Sequence, residues 1–326
     1  MNNIPPGGKN VKCIINYSIC RRRIFMKVGV PRGLLFYKYR PFITTFFEEL
    51  GEEVVLSPET DKEILNLGSK YSVDEACLPV KVFHGHAAYL RDKCDIIFLP
   101  RIMQLREREY ICPKFCGLPE MVINSVPDMP KAITFPIYAF SEKSLRKWAV
   151  KTGLIFTKNY LKIHNSYRAA LAAQKKFSPG INDIDYDIKI ALVGHPYNVY
   201  DSFVNMELVS KLHKMGIGVI TEEYIGDELI DKEVKTLFKR PFWTFTRNSY
   251  GFSSYVGTHK EVQGIIYLSS FACGTDSITI EFIKDRLDNF PILVLKIDEQ
   301  TGEAGFNTRI EAFVDMLKRA VVNCQL

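Results

Sequence analysis

Three stretches place cysteines where they could hold a metal: EACLPVK around Cys77, CPKFCGLPE with Cys112 and Cys116, and FACGTDS around Cys273. Each borders a helix start: Pro79 and Pro119 suit a first helical turn, and Thr275 or Asp276 can cap the helix after Cys273. A helix N-terminus offers unpaired N–H groups and a positive dipole end, which favour thiolate over thiol. Taken singly, each cysteine reads more simply as a small buried residue. Four on such connections, two of them in a C-x3-C segment, instead point to a metal or cluster site using at least three. Cys94, in RDKCDIIF, leads into an apolar run and reads as core, and Cys324 is assigned nothing. Structural zinc sites bring cysteines in two close pairs, and here a second pair is missing, whereas iron-sulfur clusters accept thiolates dispersed around a crevice. A [4Fe-4S] cluster is therefore the expected cofactor, although spacing alone does not decide it.

Other reactive side chains fall on the same connections. His195, in GHPYNVYD, directly follows an apolar run and is a candidate proton donor; a turn histidine capping the next helix is the plainer alternative. Arg101, at the end of DIIFLP, is well placed to bind an anion, and Lys81 is a third cleft candidate. His84 and His86, in FHGHAAYL, could join Cys77 in a zinc site, or one could line the cleft while the other packs. TGEAGF lacks the Lys-Ser/Thr ending of a P-loop and GVPRGL lacks GxGxxG spacing, so no nucleotide-hydrolysing motif is present.

The elements that must carry these residues alternate short β-branched runs with longer helical periods, the pattern of parallel sheets with crossover helices. Strands are expected near 27–31, 53–57, 95–100 and 131–135, with helices near 36–50, 60–68, 79–92 and 117–125. A helical stretch at 142–176 follows, capped by Ser141. A second unit has strands near 187–194, 218–220, 264–270 and 291–298, and helices near 201–214, 276–288 and 306–320. The fold class is thus α/β: two open Rossmann-like or flavodoxin-like parallel-sheet domains, residues 26–140 and 187–326, a helical linker at 141–186, and a cluster cleft between them. In open α/β sheets ligands bind outside the carboxyl ends of the strands, where most of the residues named above fall.

Residues 1–25 contain five basic and no acidic residues and end just before Met26, where MKVGVPRGL opens abruptly as a strand. They read as an extension upstream of the true start, disordered or mis-annotated, rather than as a binding arm or a signal peptide. Without them the formal net charge of +6 falls to +1, so basicity is no argument for nucleic-acid binding. At 47% hydrophobic and 25% charged residues the composition is that of a globular protein. The longest apolar runs have strand length, well short of the roughly 18 residues of a membrane span. A cytoplasmic location is expected, where cysteine groups mean metal or redox chemistry more often than disulfides.

EACLPVKVFHGH, DIIFLPRI, YICPKFCGLPEMV, GHPYNVYD, ACGTDS and DEQTGEAGFNTRIEAF, in this order, resemble the domain of unknown function found in proteins related to 2-hydroxyacyl-CoA dehydratases and their activases, a domain also found in long chains fused to the ATPase activase module. The resemblance spans about residues 26 to 320. It implies an oxygen-sensitive cluster between α/β domains, low-potential electrons accepted from an ATP-dependent activase or reductase, and a small-molecule or CoA-thioester substrate. Carried over, Cys77, Cys112 and Cys273 are the expected ligands, with Cys116 the fourth or a nearby alternate; a double-cubane cluster would want more thiolates than are well placed here. Catalysis by an open iron, a non-catalytic electron-transfer or scaffold role, and a zinc-stabilised binding module all remain as readings, and a homodimer is compatible with each.

Overall fold

The computed structural model describes residues 25–324, and the expected extension at 1–25 lies almost wholly outside them. Four parallel strands form the first sheet: β1 (Lys27–Val30), β2 (Glu53–Leu56), β3 (Ile96–Phe98) and β5 (Lys131–Ile133), in the order β2-β1-β3-β5. The second sheet, also parallel, contains β7 (Ile188–Gly194), β8 (Ile217–Ile220), β9 (Gly264–Ser270) and β10 (Ile292–Ile297), ordered β10-β9-β7-β8. Counted along the chain, both sheets have the order 2-1-3-4. The two halves therefore share an architecture that residue identity does not reveal. In each, the strand order reverses between the first and third strands, β1/β3 and β7/β9, and the crevice there is the favoured ligand position. β4 (Arg101–Gln104) and β6 (Pro136–Tyr138) add a small parallel pair beyond the first sheet. β9 is buried along its whole length, as expected of a β-branched run covered on both faces.

Helices α1 (Phe36–Glu49), α2 (Lys62–Lys70) and α3 (Leu78–Leu90) fall close to their expected ranges. α2 and α3 cross at two glycines: a Cβ on Gly68 would lie 1.9 Å from the Lys81 carbonyl oxygen, and one on Gly85 1.9 Å from that of Ile64. Gly68→Ala must push α3 away, and is expected to lower stability by about 1–3 kcal/mol, read as a reduced melting temperature; an unchanged one would refute this crossing. The helical stretch between the sheets is two helices, α5 (Glu142–Gly153), with Ser141 as N-cap, and α6 (Tyr160–Lys175).

Three expectations need correction. The helix after the C-x3-C segment, α4 (Lys114–Ser125), does not start near Pro119 but three residues earlier than expected, and Pro119 lies inside it. Pro113 supplies the N-cap, and i→i+3 bonds from Phe115 and Cys116 N–H to the Cys112 and Pro113 carbonyls tighten the first turn. Of the expected helix at 201–214 only the second half forms, as α8 (Leu208–Lys214); a short turn, α7 (Pro196–Val199), precedes the expected range, and between them Asp201 accepts the Phe203 and Val204 N–H groups and starts a separate turn. Two helices were not anticipated, α9 (Asp227–Val234) and α10 (Thr244–Thr258). α11 (Gly274–Arg286) and α12 (Glu303–Cys324) complete the chain. No helix among the described residues is long and apolar enough to cross a membrane.

Candidate metal and proton-transfer site

His195 and Cys273 follow β7 and β9, at the reversal point of the second sheet. Gly194 makes this turn possible: its φ is +151°, and a Cβ there would lie 2.4 Å from the Leu268 carbonyl oxygen. Cys273 and Cys77 are the N-cap residues of α11 and α3, with Pro79 in the first turn of the latter. Thr275 and Asp276 therefore do not cap α11; Thr275 Oγ1 instead lies 3.2 Å from Cys273 Sγ.

Asp276 lies at the centre of a buried polar network. Its carboxylate accepts from Tyr267 Oη at 2.8 Å and Ser269 Oγ at 2.9 Å, and lies 3.2 Å from His195 Nε2. His195 Nδ1 is 2.6 Å from Tyr197 Oη. With Asp276 accepting, Nε2 carries the imidazole proton and Nδ1 receives the Tyr197 O–H, which fixes the tautomer. His195, Asp276 and Tyr197 are 3%, 1% and 7% exposed, so the chain of hydrogen bonds is shielded from water. Phe245 packs on the His195 ring, with centroids 4.7 Å apart, and Phe115 on Tyr197 at 5.9 Å.

Three of the four expected thiols act electrostatically on this tyrosine. Burial raises the Tyr197 phenol well above its usual value, and the Asp276 carboxylate and the thiols of Cys77, Cys112 and Cys273 act on it in the same direction. Cys112 also feels Cys77, though burial is the larger cause of its own upward shift. Cys116 sits one turn further on, inside α4, and its carbonyl accepts Arg101 Nη1 at 2.7 Å. His195, Cys273 and Asp276 present donor atoms within 4.8 Å of one another, a group that could hold a metal ion.

The Cys112 segment is tied to the second half. Tyr110 N–H donates to Phe242 O at 2.9 Å and Tyr110 O accepts from Thr244 N–H at 2.9 Å. Beside this pairing, Glu109 and Arg247, both without exposed side-chain surface, form an ion network with Arg240, Arg106, Asp227 and Asp231.

The remaining candidates are engaged elsewhere. Lys81 pairs with Glu299 at 2.5 Å, joining α3 to the loop after β10. Arg101 pairs with Glu120 and donates to the Thr134 and Cys116 carbonyls. His84 Nδ1 lies 2.8 Å from the Val80 carbonyl oxygen. His86 Nε2 lies 3.0 Å from Thr60 Oγ1, which donates to Asp201, and burial pushes this imidazole down to about 3. Sequence reasoning missed Tyr197 and the central place of Asp276, although both stand in the quoted motifs GHPYNVYD and ACGTDS.

Burial and the Asp276 carboxylate push the Cys273 thiol from its ordinary 9.0 up to about 11. Folding thus strengthens its hold on the proton, and the associated stability is present below pH 9.0 and lost as pH rises toward about 11. In metal-free protein, iodoacetamide should modify Cys273 slowly at neutral pH, with the rate climbing toward pH 11; peptide mapping that finds a plateau near the ordinary thiol value would contradict this environment.

These features define an α/β protein with two parallel sheets and a thiol-rich polar site at the second sheet's reversal point. The chain belongs to the family described as the CoA enzyme activase uncharacterised domain, whose model matches residues 27–225. Cys77, Cys112, Cys116 and His195 lie within the match, and Cys273 and Asp276 beyond it. No curated protein matches the chain. Among solved structures, it is similar to tagatose-6-phosphate ketose/aldose isomerase from Escherichia coli at 8% identity, covering 91% of this chain and 82% of that one, with a TM-score of 0.23. That similarity is too weak to carry functional meaning.

Proposed function

We propose that Cys77, Cys112 and Cys273 hold a [4Fe-4S] cluster, and that the protein works in low-potential electron transfer or in the reduction of a small molecule or CoA thioester. An ATP-dependent activase would be its electron-donating partner. The observation that carries this reading is that three thiols, from three separate connections, act electrostatically on one buried tyrosine, with Cys273 also beside His195 and Asp276. When bound, the cluster would supply one-electron chemistry at a potential set by its ligands and by hydrogen bonding around the sulfurs.

The chain's own contribution to such a reaction is proton transfer. Asp276 holds His195 in the tautomer whose unprotonated Nδ1 accepts the Tyr197 O–H, so a proton released from Tyr197 Oη is taken up at His195 Nδ1, and the Asp276 carboxylate offsets the imidazolium charge that results. The aromatic surround of Phe115 and Phe245 keeps bulk water from this path. Lys81 and Arg101 are assigned bracing rather than chemical roles, given their ion pairs.

A zinc site using His195, Cys273 and Asp276 is a second reading, favoured by the mutual closeness of those donors. It is less economical, because Nδ1 and Nε2 of His195 already face Tyr197 and Asp276. Anaerobic purification followed by iron, sulfide and zinc quantitation and EPR tests both. Stoichiometric iron and acid-labile sulfide support the cluster, and a colourless protein with one zinc removes it.

A further inference from the structure

The first sheet has its own crevice at the same topological position as the thiol site. Outside the carboxyl ends of β1 and β3, where Val30, Pro31, Phe98 and Pro100 end the strands, lies a cavity of about 230 Å3. Phe36, Phe42, Phe98, Phe115 and Trp148 give it aromatic walls, and no charged side chain lines it. Phe115 is shared with the thiol site, since it also packs on Tyr197.

Two features set this cavity apart from a gap in ordinary packing. Leu34, on its wall, has a φ of 54°, a left-handed conformation that costs a non-glycine residue energy and is concentrated at functional sites. The wall is also held open by a specific brace. Gln174 Nε2 donates to Lys38 O at 2.8 Å and its Oε1 accepts Phe42 N–H at 3.3 Å, bridging the break that Pro41 makes in α1.

We propose that this cavity is a binding site for a neutral, apolar small molecule. A dry apolar cavity of roughly 150 Å3 already admits a benzene-sized guest, so this one has room for one ring with a short substituent. The absence of a lining charge selects against carboxylates and phosphates, whose desolvation nothing here would offset. The position, at a strand-order reversal in an open parallel sheet, is where such folds bind ligands. The inference does not depend on a cluster.

The test uses tryptophan fluorescence. The chain has two tryptophans, so a Trp243→Phe variant reports Trp148 alone. Titration with ethylbenzene is expected to give a saturable change in its emission and a concentration-dependent rise in melting temperature, and phenylacetate, of similar size but charged, neither. Ala139→Phe in the same background, or Leu145→Phe should that variant fail to fold, fills the cavity and should abolish the response. A non-saturable response, equal binding of phenylacetate, or ethylbenzene binding that survives the filling variants would overturn the proposal.

Discussion

Cys273→Ala, reconstituted anaerobically with iron and sulfide, is expected to lose at least about tenfold in bound iron, since even partners one shell beyond the ligands are worth ten- to a hundredfold in metal affinity. Cys77→Ala and Cys112→Ala should behave alike, because the proposed site takes one thiolate from each of these three residues. Cys116→Ala is the informative contrast. Cys116, the third residue of α4, has its carbonyl committed to Arg101, so this variant should keep its iron and its EPR signal. Retention by Cys116→Ala leaves one iron open to substrate and favours catalysis. Loss comparable to that in Cys273→Ala would mean four-thiolate ligation and favour an electron carrier. Full iron retention by Cys273→Ala would remove the three-thiol site altogether.

Arg247→Met is the second large effect, and it is one of stability. Arg247 is fully buried; its Nε and Nη2 donate to Asp231 Oδ1 at 2.9 and 2.8 Å, and its Nη1 lies 3.1 Å from Asp227 Oδ1. Removing one partner of a buried ion network leaves uncompensated charge and typically costs about 3–5 kcal/mol. The lower end is expected, because Glu109 keeps Arg240 at 2.7 Å. Urea unfolding measures it, and a change under about 0.5 kcal/mol, the range of ordinary surface substitutions, would show that the network does not hold the two halves together. Because Glu109 lies three residues before Cys112, Arg247→Met should also weaken iron retention.

The two experiments separate ligation from scaffolding. A ligand variant should lose iron while keeping its unfolding midpoint in metal-free protein, whereas Arg247→Met should lower the midpoint in both forms. Equal behaviour of the two classes would mean that the thiols serve packing rather than metal binding.

The sequence by itself determined the elements whose chemistry is local. KVGV, IIF and GIIYLSS are strands because β-branched runs suit buried parallel sheets, and the thiols and His195 lie where strands give way to helices. Even α10 was lost to this local reading: TFTRNSYGFSSYVGT is rich in weak helix formers, and it becomes a buried helix only because partners elsewhere satisfy its polar groups, as Glu233 does for Ser254 at 2.6 Å. Only the tertiary structure decided which side chains meet. Tyr197 joins Asp276 because β7 and β9 are neighbours in the second sheet, and strand order is a contact between distant segments that no local periodicity encodes. Lys81 looked as well placed for the cleft as Cys77 on the same helix. It turns instead to Glu299, more than two hundred residues away, because a buried ammonium group requires a carboxylate partner, and only folding brings one within reach.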